Sequence, residues 1–322
     1  MVKLKDLAKE LGISVATVSN ALSGKGRVSE KLAKKIRDHA ASAGYKPSAA
    51  GRALKTGRSG IIGFVLPSIS YPLFSSLVQS VEIAADEMGY GVFIADGRGS
   101  GVGQLLAIQR LKKRGVDGVV VVPQGALKLN NLNLPVAIIN TPSDGDNTCA
   151  PNHEQGGALI AEHFLKNKHQ NFVLIGEDHK SKSEQDKIEG MTKILAGVAK
   201  YHTIWANKGL PTVDEIRNSG VSAILTTSDL MAMRMIGLAQ QAGFKVPEDF
   251  SVAGFDDSPI CEAVEPKLTS VRADMQEVAN RVVEYLIAQI ENKEISGKPA
   301  SVEMELVVRE TSDLAFEKIH AA

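Results

Sequence analysis

The groups best placed to do chemistry stand at or just behind short, apolar, β-rich runs. Ser70 and Tyr71 follow IIGFVLP (61–67), Asn140 closes VAIIN (136–140), Ser228 and Asp229 follow SAILTT (222–227), and Asp256 sits inside FSVAGFDD (250–257). In parallel α/β architectures, ligands bind outside the carboxyl ends of strands, where these groups lie. Carboxylate, amide and hydroxyl acceptors beside the apolar Leu73 and Phe74 suit recognition of a hydroxyl-rich small molecule. Trp205, on HTIWA (202–206), is a candidate to stack on a sugar face, although a lone strand tryptophan more often serves the core.

Bond-breaking chemistry has no comparable constellation. The seven histidines include no HExxH or other metal spacing, and neither GxxxxGK[ST] nor GxSxG occurs. GRGSGVG (97–103) does not satisfy GxGxxG and reads as a plain strand-to-helix loop. Cys149 and Cys261 form no CxxC pair and no disulfide framework, a usage that fits a reducing cytosol. We therefore expect no catalytic residues, no metal and no cofactor.

A second group of polar residues opens the chain. SVATVSN (14–20) follows a helix ending at Gly12, and Ser14 is a good N-cap for the helix it starts. Small residues there permit close approach to a DNA groove, with Thr17 and Ser19 reaching phosphates or base edges. An ordinary three-helix bundle with a polar surface would satisfy the same pattern. Charge separates the two readings. The chain has 322 residues with 37 Lys+Arg and 37 Asp+Glu, yet residues 1–58 hold 13 basic and four acidic residues. A head of +9 thus sits on a body of −9, and such asymmetry points to an anionic partner.

Elements that position these groups follow from periodicity. Leu4, Leu7, Ala8 and Leu11 share one helix face, Val18, Ala21 and Leu22 another, and Leu32, Ala33, Ile36 and Ala40 a third. Ser29 is the expected cap of that third helix. Residues 47–59 read as a basic linker with helical potential at 48–54. From Ile61 onward strand and helix alternate in two series, which predicts two lobes of doubly wound parallel sheet. Helix Met275–Glu291 and strand Ser301–Val308 are expected to return and complete the sheets. No apolar run reaches the ~18 residues of a membrane span. The charged opening, MVKLKDLAKELG, has no signal-peptide core, so a cytoplasmic protein is expected.

These motifs together resemble the LacI/GalR family of bacterial transcription regulators. The likeness runs through DLAxxLGISxATVS (6–19), VS (28–29), GYxP (44–47), RxL (52–54), VDG (116–118), SD (228–229), SVAGFDD (251–257) and LTSV (268–271). It implies a helix-turn-helix head over 1–46, a hinge helix and linker over 47–59, and a periplasmic-binding-protein-like effector domain over 60–322. Lobe one would comprise about 60–150 and 275–303, and lobe two about 151–272 and 304–315. It also implies DNA contacts from Ser14, Val15, Ala16, Thr17, Ser19, Asn20, Arg27, Ser29, Tyr45, Ser48 and Arg52, with Leu54 as a minor-groove wedge. Effector contacts would come from Asp256, Asn140 and Ser228, and from Lys187, which stands where the family has an arginine. The implied partners are pseudo-palindromic operator DNA, a sugar-like effector and a second copy of the chain. DLAFEKIHAA (313–322) lacks heptad leucines, so a homodimer rather than a tetramer is expected. A cytosolic solute-binding protein or an enzyme on the same two lobes are the competing readings.

Two departures from the family sharpen the expectation. Gly51 replaces the usual alanine in the hinge, a cost of about 1 kcal/mol in helix propensity. Asn20 replaces the usual arginine, and Asn pairs bidentately with adenine where Arg pairs with guanine. Selection of operators from a randomised pool should therefore return adenine at one position per half-site. Asn20→Ala should lose about 1–3 kcal/mol of discrimination there alone. Guanine at that position, or an unchanged preference in the variant, would defeat the assignment.

Overall fold

The structure, a computed structural model, describes residues 2–23, 28–45, 57–71, 73–125, 127–129, 132–210, 212, 215–216, 220–295 and 297–312. The chain divides into two compact units, Met1–Ser59 and Gly60–Ala322. Residues Arg27, Ser48, Gly51, Arg52 and Leu54, and the segment 313–322, lie outside the described residues.

The first unit holds α1 (Leu4–Leu11), α2 (Val15–Ser23) and α3 (Glu30–Ser42). Gly12 takes φ 66°, a left-handed conformation open to glycine, and its N–H bonds back to the last turn of α1. Ser14 Oγ accepts from Thr17 N at 3.0 Å and so caps α2. Ser29 stands at the N-cap of α3, but its hydroxyl makes no cap bond, contrary to expectation. The three helices bury Leu7, Val18, Ala21, Ala33, Ile36 and Ala40, an aliphatic core from the periodic positions.

The second unit contains two parallel sheets. In lobe one, β1 (Ile61–Leu66), β2 (Gly91–Asp96), β3 (Gly118–Val121) and β4 (Val136–Ile138) are ordered β2-β1-β3-β4. Helices α4 (Leu73–Glu87) and α5 (Gly101–Lys113) connect them. In lobe two, α6 (His153–Lys166) leads into β5 (Asn171–Gly176), α7 (Lys182–Leu195), β6 (Lys200–Trp205), β7 (Ala223–Thr226), α8 (Asp229–Gln241) and β8 (Ser251–Ala253). Its order is β6-β5-β7-β8, the same winding as lobe one. The short helix α9 (Ile260–Ala263) precedes β9 (Ser270–Ala273), α10 (Met275–Glu291) and β10 (Met304–Val307).

Part of this differs from expectation. Helix α10 does return to lobe one, burying Val278, Val282 and Leu286 against Phe64, Leu77 and Val120. Strand β10, however, joins neither four-stranded sheet. It pairs antiparallel with β9 as a separate ribbon, Leu306 opposite Val271. Single bridges tie Pro151 to Val302 and Ala253 to Thr269. The chain changes lobes along these segments, so their backbone bonds are made with one another.

One packing contact sets the geometry of lobe two. A Cβ on Gly157 of α6 would fall on the Lys187 carbonyl oxygen, and one on Gly190 of α7 on that of Glu154. The two helices therefore touch backbone to backbone, and Lys187 lies in the contact. Gly190→Ala must push them apart. Urea denaturation of the full chain should show a loss of about 1–3 kcal/mol, and an unchanged midpoint would mean that the helices separate freely.

Candidate functional site

The head offers a face at the start of α2. Val15 is 46% exposed, and Ser14 and Ala16 are exposed beside it. Thr17, Ser19 and Asn20 are half-buried, and Ser14 Oγ lies 2.8 Å from Thr17 Oγ1, so these hydroxyls also bond each other. Tyr45 packs against the head core, whereas Ser29 is exposed. The acids of the described head are all engaged. Asp6 accepts from Lys3 N, Glu10 meets His39 at 2.8 Å, Glu30 pairs with Arg37, and Asp38 with Lys34 at 3.2 Å. The positive field of the head comes from the cations left over.

In the second unit the structure gathers two carboxylates, a backbone carbonyl and an aromatic ring around one buried ammonium. Lys187, on α7, is 5% exposed. Its Nζ donates to Thr227 O at 2.8 Å and Asp256 Oδ1 at 3.2 Å, lies 3.9 Å from Glu184 Oε1, and sits 4.2 Å over the Phe255 ring. Burial works to lower its pKa, but Asp256 and Glu184 more than offset this and hold it above the ordinary lysine value. Lys187 is thus a fixed internal cation, not the mobile point charge that its type alone implies. Burial pushes Asp256 up to about 6, with the Lys187 ammonium opposing, and raises Glu184 likewise.

Asp256 adopts φ 98°, uncommon for a residue with a side chain. Its neighbours over-determine that conformation. Asp256 N bonds Val271 O, and Asp257 meets Arg309 at 2.7 Å and takes its N–H bond to Ser270 Oγ.

Glu177, directly after β5, receives Ser228 Oγ at 2.6 Å and Tyr71 OH at 3.1 Å on the same oxygen. Tyr71 belongs to lobe one, so this bond crosses the cleft. Burial and the Glu177, Asp256 and Glu184 carboxylates drive the phenol pKa far upward, which keeps it a neutral donor. Ser228 also caps α8 by accepting from Met231 N. Glu184 accepts from Glu177 N at 2.9 Å and from the Thr227 hydroxyl. A second crossing is made by Asp186, which accepts from Thr141 Oγ1 and Ser143 Oγ, each at 2.5 Å. Since Thr141 donates to Asp186, it accepts from His153 Nδ1 at 3.1 Å. That requires the Nδ1–H tautomer, and burial with the nearby Lys187 charge keeps His153 neutral.

Other expected cleft groups are placed differently. Asp229 is buried, with its carboxylate committed to Ser258 N at 2.7 Å and Ser270 Oγ at 2.6 Å. It braces lobe two internally. The Asn140 side chain bonds Asp144 within its own loop, and Ser70 Oγ lies 2.8 Å from Ser68 Oγ in the open. Phe74 pairs with Tyr71 at 5.6 Å between ring centroids, while Leu73 begins α4 with its side chain outside the described residues. Trp205 is half-buried against the lobe-two core, and a Cβ on Gly176 would strike its ring. Sequence reasoning missed Glu177, Glu184, Thr141 and Asp186. Glu177 carried the same signal as the others, a polar residue ending a buried strand. Among the described residues no His/Cys/Asp/Glu group suits a metal, and no helix is long and apolar enough to cross a membrane.

A helix-turn-helix head followed by a two-lobe α/β domain defines a class, and the comparisons name it. "Bacterial regulatory proteins, lacI family" matches residues 3–48, and "Periplasmic binding protein-like domain" matches residues 161–312. The chain thus joins a lacI-type head to a periplasmic-binding-protein-like domain, and its relatives are lacI-family repressors. It is 29% identical over 323 residues to the ribose operon repressor of Halalkalibacterium halodurans, covering 97% of each chain. To the transcriptional repressor PurR of Photobacterium profundum it is 26% identical over 329 residues, covering 97% of this chain and 98% of the other. The lac repressor dimer bound to operator and the anti-inducer ONPF superposes with a TM-score of 0.76 at 24% identity, over 97% of this chain and 99% of that one. At that identity the likeness is one of fold.

The buried cluster makes a measurable prediction. Lys187→Ala leaves Asp256 and Glu184 without their cation, and breaking such a pair costs about 3–5 kcal/mol near neutral pH. Both carboxyls already titrate above their ordinary values and would rise further. The folded variant then binds protons that the unfolded chain has released, so its stability increases as pH falls. Urea unfolding should show the defect shrinking between pH 7.5 and about 5.5. A defect of equal size at both would separate Lys187 from these acids.

Proposed function

We propose that this chain is a transcription regulator, a repressor, that binds operator DNA sequence-specifically and is switched by a small sugar-like effector held between its lobes. It acts in the cytoplasm, as a homodimer on a pseudo-palindromic site, and catalyses no reaction. The observation that carries this reading is the pair of crossings between lobes, Tyr71 to Glu177 and Thr141 with Ser143 to Asp186. Such bonds form and break as a cleft closes and opens, which supplies the two-state element that effector control needs. Effector and operator must then alter each other's affinity by the same factor.

The head supplies the other half of the reading. Exposed Val15 and Ala16 at the start of α2, on a unit of strong positive charge, suit a recognition helix docking in a major groove. One such helix reads few bases, so a symmetric pair is needed. Lobe one offers a surface for that pairing. Edge strand β2 exposes Phe93 and Ile94, and α5 exposes Val102 and Leu106. An uncovered apolar edge strand is a liability in a lone chain and an asset in a dimer interface. The names of the relatives, a ribose operon repressor and the transcriptional repressor PurR, agree with this assignment.

The test combines gel shift and sedimentation on the full chain, with operator from a randomised pool and a panel of sugars and sugar derivatives. We expect two chains per operator, affinity falling steeply with salt as counterions are released, and at least one panel member that changes operator affinity. Asp256→Asn should abolish that change. Failure to select any sequence defeats the DNA reading, and an effect intact in the variant defeats the cleft reading.

A further inference from the structure

We infer that the effector of this chain carries an ammonium group, as an amino sugar does, and that Glu177 receives it. This rests on the reading of the cleft as an effector site. Lys187 is not available to meet a ligand. The ammonium is buried and its bonds go to Thr227 O and Asp256, with Glu184 at 3.9 Å. It is consumed inside lobe two and offers no charge to a ligand. Its single positive charge balances one of the two acids that it touches. Glu177 adds a third carboxylate to the field of that one ammonium and forms no ion pair with it. It is half-buried at the carboxyl end of β5, and two neutral hydroxyls, Tyr71 and Ser228, bond one of its oxygens. Among the described residues, no lysine, arginine or histidine forms an ion pair with it. The neighbouring cations have other partners: Lys182 lies 3.9 Å from Asp186, and His179 stands at Asp178.

Closure makes this imbalance consequential. The Tyr71 bond crosses from lobe one, so closure withdraws Glu177 in part from water. A carboxylate desolvated without a cation is costly, and neutral hydroxyls offset only part of that cost. A ligand ammonium supplies the missing charge. The aromatic pair Tyr71 and Phe74 adds a face of the kind on which a cation rests favourably. An anionic ligand would add to the repulsion. The cleft therefore ranks otherwise similar ligands as aminated over neutral over phosphorylated.

Matched sets test the ranking: glucosamine, glucose and glucose 6-phosphate, with the corresponding galactose and mannose sets. Binding to the full chain is followed by calorimetry and by the fluorescence of Trp205, the one tryptophan. In at least one set the amine should bind about tenfold or more tighter than its neutral partner (~1.4 kcal/mol), and the phosphate weakest. Glu177→Gln should erase the advantage of the amine. Whatever it takes from the neutral sugar, it should take about tenfold or more beyond that from the amine, a differential that a merely structural loss would not give (~1.4 kcal/mol). A neutral sugar binding as tightly as its amine, and lost in Asp256→Asn, overturns the ammonium assignment while the cleft reading stands. Binding indifferent to both substitutions lies elsewhere and overturns both. Silence from every set overturns the amino-sugar assignment.

Discussion

The second unit depends on one buried charge. Lys187 is the cation around which Asp256, Glu184 and the Thr227 carbonyl are arranged, over the face of Phe255. Carboxylates at this depth ionise only with a partner, because desolvation opposes the charged form. The ammonium itself is placed by backbone contact between α6 and α7, which Gly157 and Gly190 permit. A small-residue requirement on two helices thus becomes an electrostatic property of a cleft some residues away in sequence. Packing comes first and charge follows from it.

From that centre the network reaches the other lobe by two routes, and both are hydrogen bonds to carboxylates. Tyr71 is a neutral phenol whose burial among acids prevents its ionisation, so it can only donate. Thr141 donates to Asp186 and is oriented by a histidine that stays neutral. Neither crossing involves large apolar area. Such bonds exchange with water at small net cost, which suits a cleft that opens and closes. The head follows a different logic. Its acids are individually engaged, and its excess charge faces a partner whose phosphates repeat along a line.

Much of the fold was legible in the sequence because its periods are unambiguous. The helical stripes Leu4–Leu11 and Leu32–Ala40 and the buried runs at 61–66 and 171–176 each match one element. Legibility failed where partners are distant. Nothing local says that β10 pairs with β9 in its own ribbon, because a short strand carries no record of its neighbour. Asp229 and Asn140 have the right type at the right strand ends, yet their side chains turn to Ser258, Ser270 and Asp144. Glu177 has the same local credentials and lies in the network. Residue type and position along a strand cannot separate these cases, since only the direction of the side chain does.

What the sequence by itself determined is the division of labour. Charge partition, the capped helix at SVATVSN and two alternating strand-helix series define a basic head and a two-lobe body, because composition and periodicity are local properties. Tertiary structure alone decided the chemistry of the cleft. It turned Lys187 from an exposed-type side chain into an internal counter-ion, and it left Glu177 bonded by two hydroxyls with no ion pair among the described residues. The physical reason is that a charge acquires its meaning from burial and from neighbours within a few ångströms. Those neighbours here come from segments as much as 106 positions apart.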